Sequence, residues 1–392
     1  MALFRVEFVR DWGKASARWD TSGHGTNFQH KHWLDAWYRA FDAIDPLIAI
    51  ICDTITQRDI ALVPLVCRNH LGARLVEFAD LGVSNYNAPV LASDAPRDSA
   101  SLRAIGHTLL TALRQLPDRP DLIRLKKMPV EIHGRPNPLA ATEWAGSSSV
   151  NGNVVDLGDD FEAYRASIRK IQLPRRWRVF TRHPGARFEV VTGVDEALRI
   201  LDVMDHQQHK RMKQLGQKFV LDEPRYAKFY RDVVGRGHAE GYAVVSALIC
   251  GDEVVATTMG LRHGPHYTLI RNSNAGSQWS NCSPALLCIE RTMAALHWQG
   301  VRYFDLSIGN HDYKRRFGAT PLPLTDVSIA LSWRGMPYVL RDRAMQRLRR
   351  YPRLAEQARR AVARLRRYRL RGFARACGWP LAVRIASSSG SG

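Results

Sequence analysis

A carboxylate, a phenol and an ammonium fall close together late in the sequence, at Asp305, Tyr313 and Lys314. Asp305 stands between apolar Phe304 and Leu306, the setting of a strand end that removes a carboxylate from water and raises its pKa. Such a carboxylate takes up a proton near neutral pH, or else it braces the loop Gly309 to Asp312. A tyrosine hydroxyl gives a proton to a leaving group, and a lysine ammonium holds a phosphate or an acidic substrate. Equally, Tyr313 and Phe317, four apart, form one apolar helix face with the basic residues between them in water. Ser283-Pro284 reads as an N-cap followed by proline at the first helical position. The Arg271 to Asn281 segment before it is rich in Asn, Ser and Gly, and Arg271, Asn274, Ser283 and Ala285 are candidate anion contacts at that helix start. No repeated-glycine fingerprint accompanies them, so a plain capped helix answers the same pattern. His206 and His209 supply imidazoles on a basic helix, as a second base or as surface residues. The pairs His206/His209 and His263/His266 are too few for zinc, and the six cysteines show no C-x-x-C spacing, so no metal is expected and the thiols are read as reduced.

The elements that must position these residues occur in the same order twice. The first half reads as a helix (28–41), three β-rich runs (47–53, 60–67, 74–79), a polar loop (82–88), a helix (99–116) and a strand (121–127). The second reads as helices at 195–212 and 224–235, strands at 242–250, 253–261 and 266–272, a polar loop (273–281), a helix (284–298) and a strand (302–308). Gly251-Asp252 suits a two-residue hairpin and Gly264-Pro265 punctuates the next turn, so these three strands are antiparallel. The strand–helix–strand ending demands a crossover and one parallel pair. A sheet that splays there presents a cleft. In the first half the equivalent position falls to Asp80, Tyr86 and Asn87, candidates for acceptor recognition.

The run Phe304-Asp305-Leu306-Ser307-Ile308-Gly309-Asn310-His311-Asp312-Tyr313-Lys314, followed by Phe317, resembles the late motif of GNAT-superfamily acetyltransferases associated with cellulose and exopolysaccharide biosynthesis. Trp33 and Trp37, Pro64-Leu65, His209-Lys210-Arg211 and Ser283-Pro284 follow in that family's order, so the likeness spans roughly residues 20 to 333. Ala285 departs from the glycine usual after Ser-Pro. The resemblance implies an α+β fold of tandem GNAT-like domains, each a mostly antiparallel sheet flanked by helices. It implies acetyl-CoA or another acyl-CoA as co-substrate, with Asn310 beside Arg271, Asn274, Ser283 and Ala285 as donor contacts. An acceptor amine or hydroxyl then attacks the thioester, with Asp305 as base, Tyr313 as acid and Lys314 as an anion contact. The acceptor is a small molecule or glycan precursor. The related Fem-type transferases, which take an acyl group from charged tRNA, are the competing reading; a non-catalytic scaffold is the third.

Composition fits this picture. Hydrophobic residues make up 45% of 392, enough for two cores, and no apolar run approaches the length of a membrane span. The domains expected are 1–150, 151–333, a basic helical tail at 334–386 and a flexible end at 387–392. Of the net +20, +13 falls between Arg341 and Arg384, where fifteen arginines face only Asp342 and Glu356. From Pro352, Leu354, Ala358, Val362 and Leu365 recur at helical spacing opposite arginines, a basic amphipathic helix suited to packing on the domain, to an anionic membrane or to RNA. The expected location is cytoplasmic, peripheral at the inner membrane face where the tail acts.

Overall fold

The computed structural model describes residues 3–18, 23–168, 170 and 172–350. The helix expected from Pro352, the run 387–392 and Cys377 lie outside them. In chain order the elements are β1 (Phe4–Val9), α1 (Trp12–Ser16), α2 (Lys31–Ala40), β2 (Asp45–Pro46), β3 (Ile48–Asp53), β4 (Asp59–Val63), β5 (Leu65–His70), β6 (Ala73–Phe78), β7 (Val90–Leu91), α3 (Ser99–Arg114), β8 (Leu122–Pro129), β9 (Glu131–Ile132), β10 (Arg135–Pro136) and β11 (Ala145–Ser147). They continue as β12 (Gly152–Asp156), α4 (Phe161–Ser167), α5 (Leu173–Phe180), β13 (Ala186–Val190), α6 (Val194–Gln214), α7 (Pro224–Gly237), β14 (Ala243–Cys250), β15 (Glu253–His263), β16 (His266–Asn274), α8 (Pro284–Trp298), β17 (Tyr303–Asp305), α9 (Asp312–Arg316), β18 (Thr320–Leu322), β19 (Leu324–Ala330) and α10 (Met336–Arg350).

Local chemistry sets these limits. Asp98 accepts the Ser101 amide at 2.9 Å and starts α3. Pro284 opens α8 and Gly300, at φ 93°, follows its end. In the second half Cys250 faces Glu253 across the Gly251-Asp252 turn and His263 faces His266 across Gly264-Pro265, so β14, β15 and β16 form an antiparallel meander. The crossover through α8 then returns β17 parallel to β16. The fold is mixed α+β on two main sheets, the tandem GNAT-like arrangement.

The strand orders show a crossing of one strand that local pattern does not encode. One sheet runs β11-β19-β8-β6-β5-β2 and the other β13-β14-β15-β16-β17-β12-β18. Thus β19, which follows the second half in sequence, lies between β8 and β11 of the first. β12, following directly on β11, lies between β17 and β18 of the second.

The division at 150/151 is therefore corrected, because the first sheet is incomplete without β19 from the other side of that boundary, whereas β12 begins just beyond it and belongs to the second sheet. The halves also share a core. Trp33 and Trp37 of α2 are fully buried in one cluster with Met204, Phe229 and Val233 of α6 and α7, and the Trp33 ring meets Phe229 edge-on at 4.7 Å. By contacts the first compact unit runs from Met1 to Val339 and the second from Leu340 to Gly392, so the tail begins at 340 and not 334. Among the described residues no helix is long and apolar enough to cross a membrane.

Candidate active site

β16 and β17 pair over only three residues, ending at Thr268 opposite Asp305. β16 runs on to Asn274 while the chain after Asp305 turns away, and the sheet opens there. Ser307, at φ 70°, and Gly309, at φ 104°, make that turn. The Lys314 ammonium donates to the Ser307 and Ile308 carbonyls at 2.9 and 2.7 Å, and the Asn153 amide donates to the Ser307 and Gly309 carbonyls at 2.8 and 2.9 Å. Three successive carbonyls are thus captured, which fixes the loop.

Asp305 is 7% exposed, and one of its oxygens accepts the Ser307 amide at 2.6 Å. Burial pushes its carboxyl up to about 6, against the pull of Tyr86, Ser307 and the Lys314 charge. Lys314 is itself buried, which lowers its ammonium to about 8. Tyr86 comes from the first half. Its phenol lies against Asp305, and both burial and that carboxylate raise its pKa well above the usual value. Gly152 makes room for it: a Cβ there would stand 2.2 Å from the Tyr86 hydroxyl. Beside it Asn85 donates to the Ser307 hydroxyl at 2.8 Å. The first half inserts its loop into the open sheet of the second.

A cavity of about 360 Å³ reaches this group, lined among others by Asn27, Tyr86, Glu131, His133, Val154, His266, Thr268, Tyr303 and Asp305. His133, His266 and Tyr303 stack along one wall, with centroid spacings of 3.9 and 4.9 Å. Asn27 donates to Leu261 O and Thr268 Oγ1, both at 3.0 Å, which leaves its buried Oδ1 without a donor. Among the described residues the lining contains no lysine or arginine. A cavity with free acceptors, two carboxylates and no cation suits a ligand that brings N–H donors.

The other residues singled out in the sequence are placed as follows. Asp80 accepts the Gly82 and Ser84 amides and pairs with Lys127 at 2.6 Å, while Asn87 bonds to Asp80 and to Lys126 O; both shape the loop that presents Tyr86. His206 is exposed, and exposed His209 pairs with Asp222 at 2.9 Å; neither lines the cavity. Arg271 is held on the α6 side by Asp205 and Gln208. Asn274 accepts the Gly276 amide, and Asn310 is exposed on the turn. The reading of Ser283 as an N-cap is corrected: it is left-handed, at φ 47°, and its side chain makes no capping bond because the short 3₁₀ turn before α8 dictates its backbone. Ala285 follows at the half-buried helix start. Tyr313 packs by its ring on Phe317 and, like Lys314, lies outside the cavity lining.

At the start of α8 the structure adds a residue that the sequence reading passed over. The Arg176 Nη1 is buried with no hydrogen-bond partner, and its neighbours are the Arg316 guanidinium and the Cys282 thiol. Burial and the like charge of Arg316 lower its pKa. An unpartnered guanidinium N–H group near a second positive charge and a helix start is suited to an anion.

Residues 166–315 match the family model of the acetyltransferase (GNAT) domain. That segment holds the meander, the crossover helix and the open sheet edge, so the second half is similar to an acetyltransferase (GNAT) domain. The fold is similar to that of FemX (TM-score 0.55, 9% identity, 83% of this chain and 97% of that one). Also similar is the C-terminal domain of a putative lysylphosphatidylglycerol synthetase from Agrobacterium fabrum (TM-score 0.48, 12% identity, 79% and 91%). No curated protein matches the sequence.

Replacing Lys314 with Met removes the charge that holds Asp305 down. The alkaline-rising limb of the pH–rate profile is then expected to move to higher pH. Loss of two charge-assisted hydrogen bonds should also cost about 3 kcal/mol of stability, read by denaturant unfolding. An unmoved profile would show that Lys314 does not act on the Asp305 carboxylate.

Proposed function

We propose that the protein is an acyl-CoA-dependent N-acyltransferase, acting on a primary amine of a small molecule or glycan precursor in cell-envelope or polysaccharide metabolism. The observation that carries this reading is Asp305: a buried carboxylate poised at about 6, on the floor of a cation-free cavity, at the point where β16 and β17 part. The acceptor nitrogen attacks the thioester carbonyl carbon as Asp305 takes its proton. The carbon–sulfur bond breaks and the electron pair leaves on sulfur; the proton held by Asp305 then passes to that sulfur, giving an amide and a thiol and restoring the carboxylate. Holding both reactants at the open edge supplies much of the rate. Asp305 is available as a base above about pH 6, and the phenol of Tyr86 keeps its proton throughout that range.

The donor's phosphates fit the start of α8, where Arg176 and Arg316 stand. An aminoacyl-tRNA presents phosphate as well, and the fold shared with FemX keeps it as the second reading. Substituting both arginines by alanine is expected to raise KM for acetyl-CoA about ten- to a hundredfold, the worth of one or two charged contacts. It should leave turnover of the N-acetylcysteamine thioester, which has no phosphate, unchanged. Equal losses with both donors would remove the phosphate site from the proposal. Transfer from aminoacyl-tRNA with none from acetyl-CoA would replace the donor.

A further inference from the structure

A second chamber of about 340 Å³ adjoins the first and takes no part in the chemistry just described. Its walls include His30, Lys31, His32, Glu240 and His263, and Thr26 lines both chambers. His263 lies 5.3 Å from His30 in this chamber and 6.2 Å from His133 in the inner one, ring centre to ring centre. We infer that this outer chamber binds a hydroxyl-rich, uncharged ring of the acceptor, so that the enzyme takes an amino sugar of at least two units, with the reacting amine at Asp305. The inference rests on the acyltransferase reading for the role of the inner chamber.

The chemistry of the walls selects that ligand class. Among the described residues of its lining there is no aliphatic side chain, which disfavours a hydrocarbon chain. Lys31 is matched by Asp35 at 2.7 Å, so an anion finds no unpaired counter-charge, and the Glu240 carboxylate is engaged by the His32 ring nitrogen at 2.9 Å. Burial and neighbouring imidazoles lower His30 to about 4, and burial lowers His263, so both rings are neutral at pH 7. A neutral imidazole presents one N–H and one lone pair, the complement of a hydroxyl, which also gives one and takes one. His30 lies flat on Tyr242 at 4.2 Å, which fixes its ring.

Calorimetric titration of the full chain without acyl donor tests this independently of catalysis, using glucosamine, its β-1,4-linked dimer and spermidine. The dimer is expected to bind about tenfold or more tightly than the monomer. Glu240→Gln combined with His263→Gln, both exposed positions, should bring the dimer to the monomer's affinity without altering the monomer's. Equal affinities in the wild type, a dimer advantage that survives the double substitution, or spermidine binding as tightly as the dimer would each overturn the inference. Dimer binding as expected with no acyl transfer would instead sink the acyltransferase reading and leave the chamber assigned. Acylation of the monomer with no gain for the dimer would do the reverse.

Discussion

Asp305→Asn is expected to lower kcat by about a hundred- to ten-thousandfold, the usual contribution of a positioned general base. Asparagine keeps an oxygen for the Ser307 amide, so the turn should persist and KM for either substrate should change little. The wild-type rate should rise with pH through about 6 and level off above, because the active form is the carboxylate. The variant's residual rate should lack that limb. Stability moves the other way. An acid raised from its ordinary 3.8 to about 6 in the folded state binds protons that the unfolded chain has already released. The fold therefore loses stability as pH rises between those values, by roughly 3 kcal/mol at the top of the window. Above pH 6 the asparagine variant should melt at a higher temperature than the wild type. A variant both slower and less stable there would mean that Asp305 braces the loop and does nothing more.

Trp33→Ala is expected to destabilise the protein by about 3–5 kcal/mol, the cost of a large cavity in a packed core. Trp33 is fully buried, donates its indole N–H to the Ser84 hydroxyl at 3.0 Å and packs against Phe229. The substitution therefore loosens at one stroke the loop that carries Asn85 and Tyr86 and the helix α7 of the other half. Because the cluster spans both halves and the first sheet takes β19 from the second, unfolding monitored by near-ultraviolet circular dichroism and by activity should follow one transition that shifts as a unit. Two separated transitions, with only one displaced, would contradict the shared core.

The crossover and the open sheet edge were legible in the sequence because their signals are local. The Gly251-Asp252 and Gly264-Pro265 turns set the meander, and the apolar face of the helix from Pro284 called for a parallel return. Asp305 stood out by its apolar flanks, and Tyr86 was reachable only through the equivalence of the two halves. The insertion of β19 between β8 and β11 was not legible, since strand pairing at such sequence separation leaves no local trace. Glu131 and His133 belong to a two-residue strand and the turn after it, too short to show periodicity. Arg176 was hidden among 47 arginines, and its unpartnered Nη1 and the nearby Arg316 charge emerge only from the fold. Ser283 misled because cap chemistry and left-handed backbone share the same residue types, and the preceding 3₁₀ turn decides between them.

The most direct test of the central claim is the product itself. Wild-type and Asp305→Asn protein would be incubated with acetyl-CoA and the glucosamine dimer at pH 7.5, roughly one and a half pH units above the Asp305 midpoint, and the acceptor analysed by mass spectrometry before and after hydroxylamine. One added acetyl group that withstands hydroxylamine, formed by the wild type and about a hundredfold or more slowly by the variant, is the predicted result. An acetyl group removed by hydroxylamine, formation at equal rates by both proteins, or no transfer from acetyl-CoA would contradict Asp305-assisted N-acylation.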